Sequence, residues 1–281
     1  MSCAIRAIEA LVHSRLEGRV MDSSRIFRPL LWLLILACGF LGLAFTIAPA
    51  TFAALAGFAG TDLFTYRLAG AALFAYAAGL TAGSQASWAE LRIPIASTFA
   101  FGAAAILACL LSLVGGGAPL IVVLVLALAI GFTAFAGQVL RESPIAAAGK
   151  ARAELERPIG PWVVGLFTVG VAAAAVFGLG PLLLGGEFGR LVGASGDDPF
   201  VYRFAGAATF GAAVGGVLVL QSRRWSAARL PALMAVTFNG LGVIAAIIEI
   251  LGDGAPVAYL ILAVAGLTTV GMTLALYRRG R

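Results

Sequence analysis

Tyr66-Arg67 and Tyr202-Arg203 are the pairs in this sequence with the clearest capacity for chemistry. A guanidinium is planar, permanently charged and donates in a fork that matches a carboxylate or a phosphate. A neighbouring phenol can give the same anion a second donor. Each pair follows an aspartate, in Asp62-Leu-Phe-Thr-Tyr-Arg and Asp198-Pro-Phe-Val-Tyr-Arg. Asp62 and Asp198 read as helix N-caps, and Pro199 sits at a first helical position, where its missing N–H is not needed. Each arginine then lies in the first turns of its helix, where the dipole repels a cation. Two compensations stand beside snorkelling to the surface or plain exposure. One is an ion pair with Asp62, Asp198, Glu249 or Asp253. The other is a site for an anionic headgroup or solute, with Tyr66 or Tyr202 assisting. Glu249 is the carboxylate well inside an apolar run, and Ser112 holds its place in the first half. It reads as a partner for Arg67 or Arg203 rather than as a general base. At least one of the two arginines is therefore expected to lack a fully satisfying internal carboxylate.

These motifs are copies of each other. At an offset of 136, 12 of the 25 columns from Thr61 to Gln85 are identical. After one inserted residue the match resumes in Trp88/Trp225, Arg92/Arg229, Pro94/Pro231 and Phe101/Phe238. It continues through Gly115/Gly252, Pro119/Pro256 and Arg141/Arg278. The chain is a tandem duplication.

The elements that must position the motifs are membrane helices. Of the 281 residues, 61% are hydrophobic and 11% charged, against about 25% charged in a soluble domain. Mean hydropathy is +1.03. Eight apolar runs fit a hydrocarbon core about 30 Å thick, at 29–48, 63–84, 94–114, 119–140, 158–180, 199–221, 231–251 and 256–277. Backbone groups in lipid must be satisfied within the segment, so the expected class is all-α. Residues 29–141 form a first four-helix module and 158–281 a second, joined by a polar linker at 142–157. Prolines mark the expected span starts. Pro49–Thr61 reads as a short interfacial helix, and the glycine-rich Pro181–Asp197 as looser. Residues 1–28 carry five arginines and apolar residues at helical spacing, which suits a surface-lying helix; a start at Met21 is the alternative.

Charge gives an orientation. With the N-terminus inside, cytoplasmic segments hold 16 of the 19 Lys and Arg residues, leaving Arg67, Arg190 and Arg203 on the other side. The positive-inside rule then puts both termini in the cytoplasm. Four spans per half give both halves the same orientation, the parallel kind of repeat.

Small residues recur every four positions at Ala71, Ala75, Gly79 and Gly83, and at Ala207, Gly211 and Gly215. Such faces let helix backbones approach closely in lipid. No cluster of His, Cys, Asp and Glu has metal-ligand spacing; His13 lies in the tail, and Cys3, Cys38 and Cys109 are odd in number. Nucleotide and nucleophile motifs are absent from suitable contexts, so neither a metal nor another cofactor is expected. No chain of carboxylates crosses the spans, which disfavours a proton pump. The basic balance sits in loops and tails and does not indicate nucleic acid.

Each half has a proline after its first span and an aromatic-x-x-Arg-x-x-Gly start to its second. The residues are Pro49, Phe64, Tyr66, Arg67 and Gly70, with Pro181, Phe200, Tyr202, Arg203 and Gly206. In this each half resembles the four-helix DoxX-like bacterial membrane proteins, here duplicated. That resemblance implies a bacterial inner-membrane location and a link to redox or quinone-associated complexes, and assigns no residue. The preferred reading is a non-enzymatic module binding a lipid, a quinone or a protein partner within a bilayer. A small-solute transporter or channel is the alternative, and a lipid-modifying enzyme is less favoured. A wet midplane cavity lined by Asn239, Thr98 or Gln138 would favour transport, and a dry interface the module.

Overall fold

The computed structural model describes residues 28–116, 118–142, 157–194, 196, 198–252 and 254–280. The expected surface helix at 1–28, most of the polar linker and Asp253 lie outside the described residues. The described helices are α1 (Arg28–Ile47), α2 (Pro49–Ala56), α3 (Leu63–Gly83), α4 (Trp88–Val114) and α5 (Ile121–Glu142). They continue as α6 (Pro161–Leu184), α7 (Gly186–Leu191), α8 (Pro199–Ser222), α9 (Trp225–Leu251) and α10 (Val257–Gly280). Eight of them are long and apolar enough to cross a membrane. Among the described residues there is no β-strand, only an isolated bridge between Pro158 and Arg224.

Several helix starts differ from expectation. Pro94 and Pro231 lie inside α4 and α9, which begin at Trp88 and Trp225. At α4 the first turn is fixed by Glu90, whose carboxylate accepts from Ser87 N and Oγ, both at 3.1 Å. A proline in the second turn removes one bond without preventing nucleation by the capped turn before it. Pro158 precedes rather than opens α6, because Ile159 N donates to Arg223 O across the loops at 3.0 Å. Pro181 sits inside α6 and ends no helix; the chain turns at Gly185, whose φ of +58° is the left-handed region that glycine tolerates.

Helices α3 and α8 lie at the centre: 72% of the most apolar stretch of α3 is buried, against 17% for α5 and for α6. Close backbone approach seats α1 on α3 and α6 on α8. A Cβ on Gly70 would stand 2.7 Å from Gly42 O, and one on Gly206 2.6 Å from Gly178 O. A Cβ on Gly42 or Gly178 would lie 2.8 Å from the amide nitrogen of Phe74 or Phe210 respectively. The two sets of contacts lie 136 positions apart in the sequence. Between the halves the packing is crossed: α3 packs extensively on α9, and α4 on α8, while α3–α4 and α8–α9 meet little. The second helix of each half thus leans on the third helix of the other.

Candidate functional site

The two aspartates of the repeat meet the two tyrosines, crosswise. Tyr66 Oη donates to Asp198 Oδ2 at 2.9 Å, and Tyr202 Oη donates to Asp62 Oδ2. The first bond links residues 132 apart in sequence and the second residues 140 apart, so each joins one half to the other. Asp62 also caps its own helix, accepting from Thr65 N at 3.1 Å and Thr65 Oγ1 at 2.6 Å. Asp198 stands at the equivalent position of α8, but its side chain accepts no capping bond from that helix. Its carboxylate instead takes the amides of Ala59 and Gly60, both at 2.7 Å. Gly60 has φ +67°, a conformation that turns the loop so that consecutive amides face one anion. The matching Gly196 leaves room for the other pair: a Cβ there would be 2.6 Å from Asp62 Cβ and 2.9 Å from Tyr202 Oη.

This geometry removes the tyrosines from any anion site shared with the arginines. Adjacent helical residues point about 100° apart, so Tyr66 and Tyr202 turn into the protein while Arg67 and Arg203 turn elsewhere. Both arginines are half-buried. Arg203 Nη1 donates to Ser112 Oγ at 3.1 Å, and its Nε is enclosed without a partner beside the Gly185 turn. No described residue pairs with Arg67. Glu249 joins neither arginine. Its Oε1 accepts from Ala255 N at 3.3 Å and fills the space over Gly254, closing the α9–α10 turn. The short connection places those turn amides within reach of the last helical turn, a nearer target than a guanidinium on another helix. Among the described residues the inter-helix ion pair is Arg229–Glu90, at 3.3 Å at the opposite end of the bundle.

The small-residue faces are interior. Ala71, Ala75, Gly79 and Gly83 of α3 and Ala207, Gly211 and Gly215 of α8 are all buried. A Cβ on Gly211 would be 2.3 Å from Tyr76 Oη and 2.7 Å from Ser97 O.

The feature that sequence reading did not find is a cavity of about 520 Å³ between α3, α6, α8, α9 and α10. Along α8 its wall runs through Tyr202, Ala205, Ala208, Thr209, Ala212, Gly215 and Gly216. That is one helix face about 21 Å long at 1.5 Å per residue. No lining residue carries a formal charge. Val176 of α6 and Leu260 of α10 line the cavity and are 60% and 53% exposed, which points to an opening between these two helices. Lower down the two helices close, with Leu166 Cδ1 2.6 Å from where a Cβ on Gly271 would stand. The cavity is therefore an elongated apolar slot open to the side.

Divergence between the halves accounts for it. In the first interface Phe101 packs on Tyr76, with centroids 5.1 Å apart, and on Phe204 at 5.5 Å. The counterpart of Phe101 is Phe238, on the slot wall. The counterparts of Tyr76 and Phe204 are Ala212 and Leu68, also on that wall. Two aromatic rings that fill one interface are missing from the other. Comparing side-chain volume column by column across the repeat would have revealed this from sequence. Of the polar residues named for the midplane, Asn239 lines the slot, whereas Thr98 is buried and donates to Pro94 O at 2.9 Å.

Comparison with family models, with curated proteins and with solved structures finds no match.

Proposed function

We propose that this chain is a non-enzymatic, membrane-embedded binding protein whose slot holds the hydrocarbon chain of a lipid-soluble molecule. The observation that carries this reading is the uncharged, elongated slot with its mouth between α6 and α10. A ligand in the hydrocarbon layer could enter sideways without crossing water. The cavity volume falls within the roughly 300–1,000 Å³ of small-molecule sites, which are mostly apolar. Two tandem four-helix repeats, parallel in a bacterial inner membrane with both termini cytoplasmic, are the arrangement in which we read it. The recurrence of the Gly42–Gly70 approach in Gly178–Gly206 supports the repeat. The apolar outward faces of α5 and α6 support the membrane setting.

A solute channel fits less well. Its wall would need polar groups free to replace water. Here Tyr76, Thr209 and Thr268 give their hydroxyl protons to backbone carbonyls, and Thr65 and Tyr202 give theirs to Asp62, which leaves only Ser97 and Asn239 of the described lining residues with donors free on an otherwise apolar wall. The test is to purify the protein in mild detergent and identify by mass spectrometry what its organic extract contains. One long-chain species, retained near one per chain and enriched over the membrane, is expected. An extract that mirrors the bulk lipid would overturn the reading.

A further inference from the structure

Resting on that slot, we infer that its ligand is an uncharged long-chain molecule carrying a carbonyl oxygen, held by Ser97 and Asn239 partway along the slot. The starting observation is Ser97 on α4. It is 2% exposed, lines the slot, and its hydroxyl makes no hydrogen bond with any described residue. Buried hydroxyls on the same helix behave differently. Thr98 donates to Pro94 O at 2.9 Å and Ser112 to Ala108 O at 2.8 Å, the usual intrahelical refuge. Ser97 is instead accommodated by Gly215 of α8, where a Cβ would stand 2.0 Å from its Oγ. Unlike Arg203 Nε, the Ser97 Oγ is not fully enclosed, so an unpaired hydroxyl stays accessible at the slot wall.

Asn239 is the second donor. Its Nδ2 gives one proton to Ala235 O at 2.8 Å, and the amide has another. By helix register, Asn239 lies at the level of Thr209 and Thr268 and about 7 Å from that of Ser97. Those threonines have already given their protons to Ala205 and Val264 carbonyls and can only accept. The wall's unmatched donors are thus the Ser97 hydroxyl and the second proton of Asn239 Nδ2, and the carbonyl oxygen of a ligand can accept from either. The matching residues of the other half are Met234 and Gly102, so the polar pair has no copy there. A carboxylate is excluded because no cation lines the slot to offset its desolvation.

The ester carbonyl of an acyl lipid and the ring carbonyl of a prenylated quinone share this chemistry. Four probes separate the cases by native mass spectrometry on delipidated protein: hexadecane, methyl palmitate, palmitate and a prenylated benzoquinone. Methyl palmitate or the benzoquinone is expected to bind more tightly than hexadecane, and the tighter of the two names the source. Ser97→Ala and Asn239→Leu should each weaken that probe about fivefold, one neutral hydrogen bond's worth, and leave hexadecane unchanged. Hexadecane binding with no carbonyl advantage, or palmitate binding as well as its ester, would overturn this inference and leave the apolar slot standing. Failure of all four probes would remove the slot reading itself.

Discussion

Tyr66 reaches across the repeat to Asp198, its hydroxyl 2.9 Å from a carboxylate that also takes two loop amides. Tyr202 returns the gesture to Asp62. Each helix start is therefore fastened to the opposite half, and the fastening lies where the bundle is crossed.

Tyr66→Phe should destabilise the protein by about 1.5–3 kcal/mol, the range for a hydrogen bond to a charged acceptor. The measurement is thermal denaturation in detergent. Asp198 is 8% exposed, so water cannot easily replace the lost donor. A loss below about 0.5 kcal/mol, the scale of ordinary surface substitutions, would show that the crossing does not depend on this bond.

Much of the fold was legible because hydropathy and repetition are strong signals. The long apolar helices, the small-residue faces and the short turns all follow from residue type along one chain. The crossed Tyr–Asp pairing was not legible. It joins Asp62 to Tyr202 rather than to its neighbour Arg67, and that choice depends on which helix of one half meets which helix of the other. The pairing of Glu249 with an arginine fails for a related reason: the Ala255 amide in the turn that follows its own helix is nearer and takes the carboxylate. The slot was hidden because it is made by what Ala212 and Leu68 lack.

Gly206→Ala should cost about 1–3 kcal/mol, because the added carbon meets backbone atoms 2.6 Å away on α6 that cannot rotate aside. Gly70→Ala should do the same against α1. Gly170→Ala, with nothing within 4 Å, should be neutral or gain up to about 1 kcal/mol of helix propensity. Equal melting temperatures for Gly206→Ala and Gly170→Ala would contradict the proposed close approach.

Arg67→Gln and Arg203→Gln should each change stability by less than about 1 kcal/mol, as for half-exposed charges without a carboxylate. A loss of about 3–5 kcal/mol, as when a buried pair is broken, would reveal an acidic partner. Thermal denaturation of both variants decides between these outcomes.

Reporter fusions at Gly116 and Gly254 should show the outer side of the membrane, because the cationic loops lie at the other ends of these helices. Cytoplasmic signal from either fusion would reverse the proposed orientation.

The most direct test of the binding slot is to give the hollow interface the rings of the filled one. The double variant Leu68→Phe with Ala212→Tyr copies Phe204 and Tyr76 into their matching columns. Native mass spectrometry of the wild type should show a bound long-chain molecule, and the double variant should lose it while melting at the same or a higher temperature. The same molecule retained by a folded double variant would contradict the slot as its site.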